Sequence, residues 1–86
     1  MVDRVAAAAT EERFCKNVML NNPKLYSMTT QLYAVSVDQL CHCAGEMMAA
    51  HLTPQEAATE ARGQTLNIES KRRAAATQLC FLSLWH

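Results

Sequence analysis

Both prolines of this 86-residue chain stand one position after a residue that caps helices, and that placement constrains the fold more than any other feature. Asn22-Pro23 reads as an N-cap followed by proline in the first helical position, where the missing N–H has no partner to lose and the fixed φ already suits a helix. Thr53-Pro54-Gln55-Glu56 repeats the arrangement as a capping box, in which Thr53 and Glu56 satisfy each other's backbone N–H groups. Ser36-Val37-Asp38-Gln39 is a third start of the same type. Two glycines besides the two prolines leave little for the turns of a β-fold, and Ala, Leu and Met number 28 against six for Val and Ile together. The balance is helical.

These signals divide the chain into helices at about 3–20, 23–35 and 37–51, with a helical region from 54 to about 84. The expected fold class is all-α: a single domain over residues 1–86, built as a small bundle of three or four helices. Two boundaries stay open. Leu25, Met28, Leu32 and Val35 form an apolar stripe that Leu40, Cys43, Met47 and Ala50 continue at close to the helical period, which permits one helix from 23 to 51. Only the Val-Ser-Val run at 35–37 and its capping signal argue for a break. An unbroken helix over 54–84 would be about 46 Å long, more than a compact domain of this size spans. Either Gly63 breaks it, with Asn67 and Ser70 offering a fresh start, or one long C-terminal helix needs a second chain to cover its overhang.

Half the residues are hydrophobic, yet 14 of those 43 are alanine, leaving 29 larger apolar side chains. A lone domain this small buries only about 60% of its unfolded surface, so a metal, a disulfide or a partner chain is a natural support. The alanine runs at 6–9 and 74–76 read as small-residue faces that let neighbouring helices approach closely. Eight basic and eight acidic residues give zero net charge. That balance argues against a dedicated polyanion binder and favours self-association. No apolar run approaches a membrane span, and the one at the N-terminus is too short for a signal peptide core. The expected setting is soluble and cytoplasmic, with Cys15, Cys41, Cys43 and Cys80 as reduced thiols.

Cys41-His42-Cys43, with Met47, Met48 and His51 behind it, has the ligand types that soft metals and zinc prefer. In a helix Cys41 and Cys43 point about 200° apart, while Cys43, Met47 and His51 share a face but reach too far to hold one ion together. Core packing is the expected role, no cofactor is implied, and a metal- or redox-responsive protein using Cys41, Cys43, Met47 and His51 is one alternative. No cysteine has a histidine at helical spacing, and His42 with Glu46 four residues on is only half of an acid–base pair, so no enzyme is expected. Arg62, Lys71, Arg72 and Arg73 form the basic cluster. A helical nucleic-acid-binding regulator is the other alternative, set against a solvated face on which Glu69 pairs with Arg72 or Arg73.

Two segments carry no charge, residues 25–37 and 74–85. The second ends in a helix apolar nearly all round, which must be buried all round. Tyr26, Met28, Leu32 and Tyr33 in the first, and Leu79, Phe81, Leu82, Leu84 and Trp85 in the second, are the expected partner interface, unless the latter plug the chain's own core. The sequence thus leads to a small regulatory, noncatalytic protein–protein interaction module of the adaptor, inhibitor or assembly-factor type, a homodimer or docked on a larger partner.

Overall fold

The capping residues do what their chemistry requires. In the computed structural model, which describes residues 2–68 and 70–85, α1 spans Val2–Leu20, α2 Pro23–Ser27, α3 Val37–His51, α4 Pro54–Ala61 and α5 Ser70–Leu84. The Asn22 side chain accepts the Leu25 N–H at 3.3 Å, and Ser36 accepts that of Gln39 at 3.3 Å. At α4 the capping box is complete: Thr53 Oγ1 accepts from the Glu56 N–H at 3.1 Å, and the Glu56 carboxylate accepts from the Thr53 N–H at 2.9 Å. The described residues are all-α.

Both open boundaries are breaks. α2 passes into a π-helical turn, Met28–Leu32, instead of running on to α3. Thr29 and Thr30 donate their hydroxyls back to the Leu25 and Tyr26 carbonyls, a pattern that bends helices. The chain then reverses through Ala34 at φ +55°, turns Val35 into the core and restarts at the Ser36 cap. Farther on, α4 stops at Gly63, whose φ of +88° is the left-handed value that closes helices. Its N–H meets the Glu60 carbonyl at 2.9 Å. An extended stretch buries Ile68 and half-buries Leu66 before α5 begins at Ser70, so no overlong helix forms.

α1 packs along α3 and α4, and α3 carries α5 on its other side. The α1–α3 contact is backbone-close: a Cβ on Gly45 would lie 2.6 Å from the Ala8 carbonyl oxygen and 3.0 Å from the Glu12 nitrogen. Glycine is therefore required there for close approach, and the alanine run of α1 supplies the matching small face, with Ala7 fully buried. This seating shifts the α3 stripe from its expected position. Leu40, Cys41, Ala44, Gly45, Met48 and Ala49 are buried, whereas Cys43 and Met47 are half-buried and Ala50 is exposed, because α3 has neighbours on two sides.

The expectation of four reduced thiols is overturned. Cys15 is bonded to Cys41, tying α1 to α3 with Cα atoms 5.4 Å apart. Cys43 is bonded to Cys80, tying α3 to α5 at 5.9 Å. Both separations fall in the ordinary disulfide range. The divergence of Cys41 and Cys43 around the helix, which prevents them from sharing an ion, lets each reach a different neighbour. No described helix is long and apolar enough to cross a membrane.

Candidate functional site, an apolar cavity beside a buried carboxylate and arginine cluster

Each disulfide fastens one helix to α3, and no disulfide joins α1 to α5. The gap between them is a cavity of about 550 Å³. α1 contributes Phe14, Val18 and Met19, α3 contributes Leu40, Ala44 and Met48, and α5 contributes Ala74, Thr77 and Phe81. Leu25, Met28 and Tyr33 from α2 and the turns after it complete the wall. Alanine at 44 and 74 leaves volume that a larger side chain would fill. Val18, Leu25 and Met28 are exposed as well as lining, so they mark the mouth.

One side of the cavity is electrostatic. Arg73 donates from Nε and Nη2 to the two Glu11 carboxylate oxygens at 3.0 and 2.9 Å. Its Nη2 also meets the Leu66 carbonyl at 3.0 Å, and the guanidinium lies 4.1 Å over the Phe14 ring. Behind it Glu60, with 0% exposure, approaches Arg73 at 3.9 Å through Oε2, while its Oε1 has no hydrogen-bond partner among the described residues. Burial, reinforced by the adjacent Glu11 carboxylate, pushes the Glu60 carboxyl up to about 8. Burial also opposes ionisation of Glu11, but its hydrogen bonds to Arg73 and Glu60 and the Arg73 charge outweigh that and hold it below its ordinary value. Glu60 is thus neutral at pH 7, and the paired Glu11 and Arg73 charges cancel.

This assignment makes stability depend on pH. Unfolded, Glu60 releases its proton near 4.5; folded, it keeps it to about 8. The stability conferred by that proton is whole below the lower value and is lost as pH rises through the upper one. Glu60→Gln should remove this decline, whose slope is at most about 1.4 kcal/mol per pH unit. Unfolding by urea across that range checks it: equal slopes in both proteins would show that Glu60 ionises normally.

The four cysteines, being paired, offer no thiol nucleophile. His42 lies outside the cavity, with Nδ1 2.9 Å from Glu12 and Nε2 3.0 Å from Glu46, and the Glu12 hydrogen bond and the Glu46 charge raise its pKa. Both imidazole nitrogens are thereby engaged on an exposed surface.

The metal candidates need correction. The Cys43 sulfur is bonded to Cys80 and so is no thiolate ligand; Met47 is half-buried and His51 is exposed at the end of α3. Cys41, likewise bonded, is no free redox thiol in this form. Among the described residues no group of three or more His, Cys, Asp or Glu side chains is arranged to hold a metal. The basic cluster is also divided. Arg73 turns inward, Arg72 pairs with Glu56 at 3.4 Å and reaches the His51 carbonyl, and Lys71 and Arg62 are exposed with no such ties among the described residues. The partner proposed for these arginines, Glu69, lies outside the described residues.

The expected interface is split between surface and cavity. Met28, Tyr33 and Phe81 line the cavity. Tyr33 meets Phe81 and Trp85 edge-on, at centroid distances of 5.2 and 5.4 Å, which joins the two apolar segments. Leu84 is half-buried against the same core. Leu32, Leu79 and Leu82 remain well exposed, and Tyr26 and Trp85 moderately so. Sequence reasoning missed Glu11, Glu60, Phe14, Val18 and Thr77. The detectable signal was a carboxylate at helical spacing among small buried residues, Glu11 after Ala7 and Glu60 after Ala57. No family model, no curated protein and no solved structure matches this chain.

Proposed function

We propose that this protein is a noncatalytic binding module that holds a small apolar ligand between α1, α3 and α5. The cavity carries this reading: its volume and mostly apolar lining, with a few polar groups on one side, are those of a small-molecule site. An enclosed void of that size would cost on the order of 13 kcal/mol at about 24 cal/mol per Å³, comparable to the whole stability of a small domain. The space is therefore tolerable only because it is open at its mouth or filled by a guest. The disulfides fix the walls without filling the gap. They also weigh against the cytoplasmic setting expected from composition and favour an oxidising compartment.

A neutral fluorescent probe, N-phenylnaphthylamine, should bind saturably at about one per chain, with a micromolar-range affinity worth about 8 kcal/mol. Ala74→Trp at the cavity wall should weaken binding about tenfold while leaving the helical circular dichroism unchanged, a loss of about 1.4 kcal/mol. Absence of probe binding to the parent protein would reject the ligand reading.

Partner association remains a second reading, favoured by Leu79 and Leu82 at 57% and 55% exposure on a helix whose last eleven residues carry no charge. With zero net charge to oppose contact, the occupant proposed is a second copy of this chain. Light scattering should then give twice the monomer mass of 9.6 kDa. Leu79→Glu with Leu82→Glu should restore the monomer, and a monomeric parent protein would dismiss the idea.

A further inference from the structure

We infer that the cavity's ligand is an uncharged amphiphile, an apolar body with one hydroxyl, carbonyl or amide head set against the α5 wall at Arg73, Thr77 and Gln78. This rests on the ligand-binding reading above and names the chemistry of its guest.

Size sets the first limit. At roughly 30 Å³ per water-sized group, a volume of about 550 Å³ holds on the order of 18 such groups. Charge sets the second. Among the described residues, Glu11 and Arg73 are the only ionisable side chains lining the cavity besides Tyr33, and they neutralise each other through two parallel hydrogen bonds. No countercharge is left for an ionic guest, and an unpaired ion in such surroundings costs several kcal/mol. The third limit is the position of the polar groups. Thr29, on the opposite wall, already donates its hydroxyl to the Leu25 carbonyl. On α5, Arg73 and Thr77 are one helical turn apart and so share a face, and Gln78 also borders the cavity. The Arg73 Nε and Nη2 are engaged with Glu11 and Leu66, and among the described residues Nη1 has no partner, which offers it as a donor for a guest oxygen. A neutral head thus finds donors and acceptors on one side while its apolar body faces Phe14, Leu40 and Met48.

The test is competition for bound N-phenylnaphthylamine at pH 7 among dodecanol, dodecanoate and dodecyltrimethylammonium, which share a chain and differ in head charge. Dodecanol should displace the probe at about tenfold lower concentration than either ion, a difference of about 1.4 kcal/mol. Thr77→Val with Gln78→Leu should reduce that preference severalfold, each displacement being referred to the probe affinity measured for that variant. Equal displacement by all three, preference for an ion, or a preference that survives the double substitution would overturn the uncharged amphiphile. If the probe itself fails to bind, the ligand-binding reading falls with it, so the two failures are distinguishable.

Discussion

Replacing Cys15 and Cys41 together by alanine should lower stability by roughly 3.5 kcal/mol, and replacing Cys43 and Cys80 should lower it by slightly more. The bonds close chain segments with sequence separations of 26 and 37. Longer closed loops restrict the unfolded chain more, which orders the two effects. The loops follow one another without overlapping, so the effects should add to about 7 kcal/mol. That is a large part of the roughly 5 to 15 kcal/mol available to a small domain. Alanine is preferable to serine because Cys41 and Cys80 are fully buried and a hydroxyl there would lack a partner. Urea unfolding of the two pair mutants and the quadruple mutant measures this. Losses below about 1 kcal/mol for both pairs would mean that helix packing alone sets the stability.

Arg73→Met should cost about 3 to 5 kcal/mol, because it leaves the buried Glu11 carboxylate without its cation, beside a Glu60 carboxyl that cannot replace that charge. Glu11 is 3% exposed and Glu60 fully buried, so water cannot replace the lost guanidinium. The deficit should shrink on acidification as Glu11 protonates, and Glu11→Gln in the Arg73→Met background should recover much of it. Arg72→Met is the control. Its pair with Glu56 is longer, at 3.4 Å, and partly solvated, so its loss should stay below about 1 kcal/mol. Equal small losses at both arginines, measured by thermal unfolding, would return them to the role of a solvated basic face.

The parts of this fold written in local chemistry were legible in the sequence. Asn22, Ser36 and Thr53 cap helices by bonding to a residue three positions on, so their signal needs no knowledge of the rest of the chain. The expected 37–51 helix coincides with α3 for that reason. Gly63 marked a weak point for the same local cause.

What depends on distant partners was not legible. Arg73 sits in a run of like charges and looks solvated, but its partner Glu11 is 62 residues away. The cysteines diverge around α3 whether they are core thiols or two separate staples, and only the placement of α1 and α5 decides between these. Reading their oxidation state from an assumed compartment led to the wrong outcome. The cavity has no motif at all. It arises between α1 and α5, each bonded to α3 and joined to one another through Arg73 and Glu11, and Ala44 and Ala74 are ordinary helix residues until that gap is seen.

The most direct measurement is an amide NMR titration of the oxidised protein with dodecanol. Binding in the cavity predicts saturable shifts at Phe14, Val18, Ala44 and Thr77, on three different helices, with little change at Leu79 and Leu82. Shifts confined to Leu79, Leu82 and their neighbours, or none at saturating dodecanol, would contradict a ligand held between α1, α3 and α5.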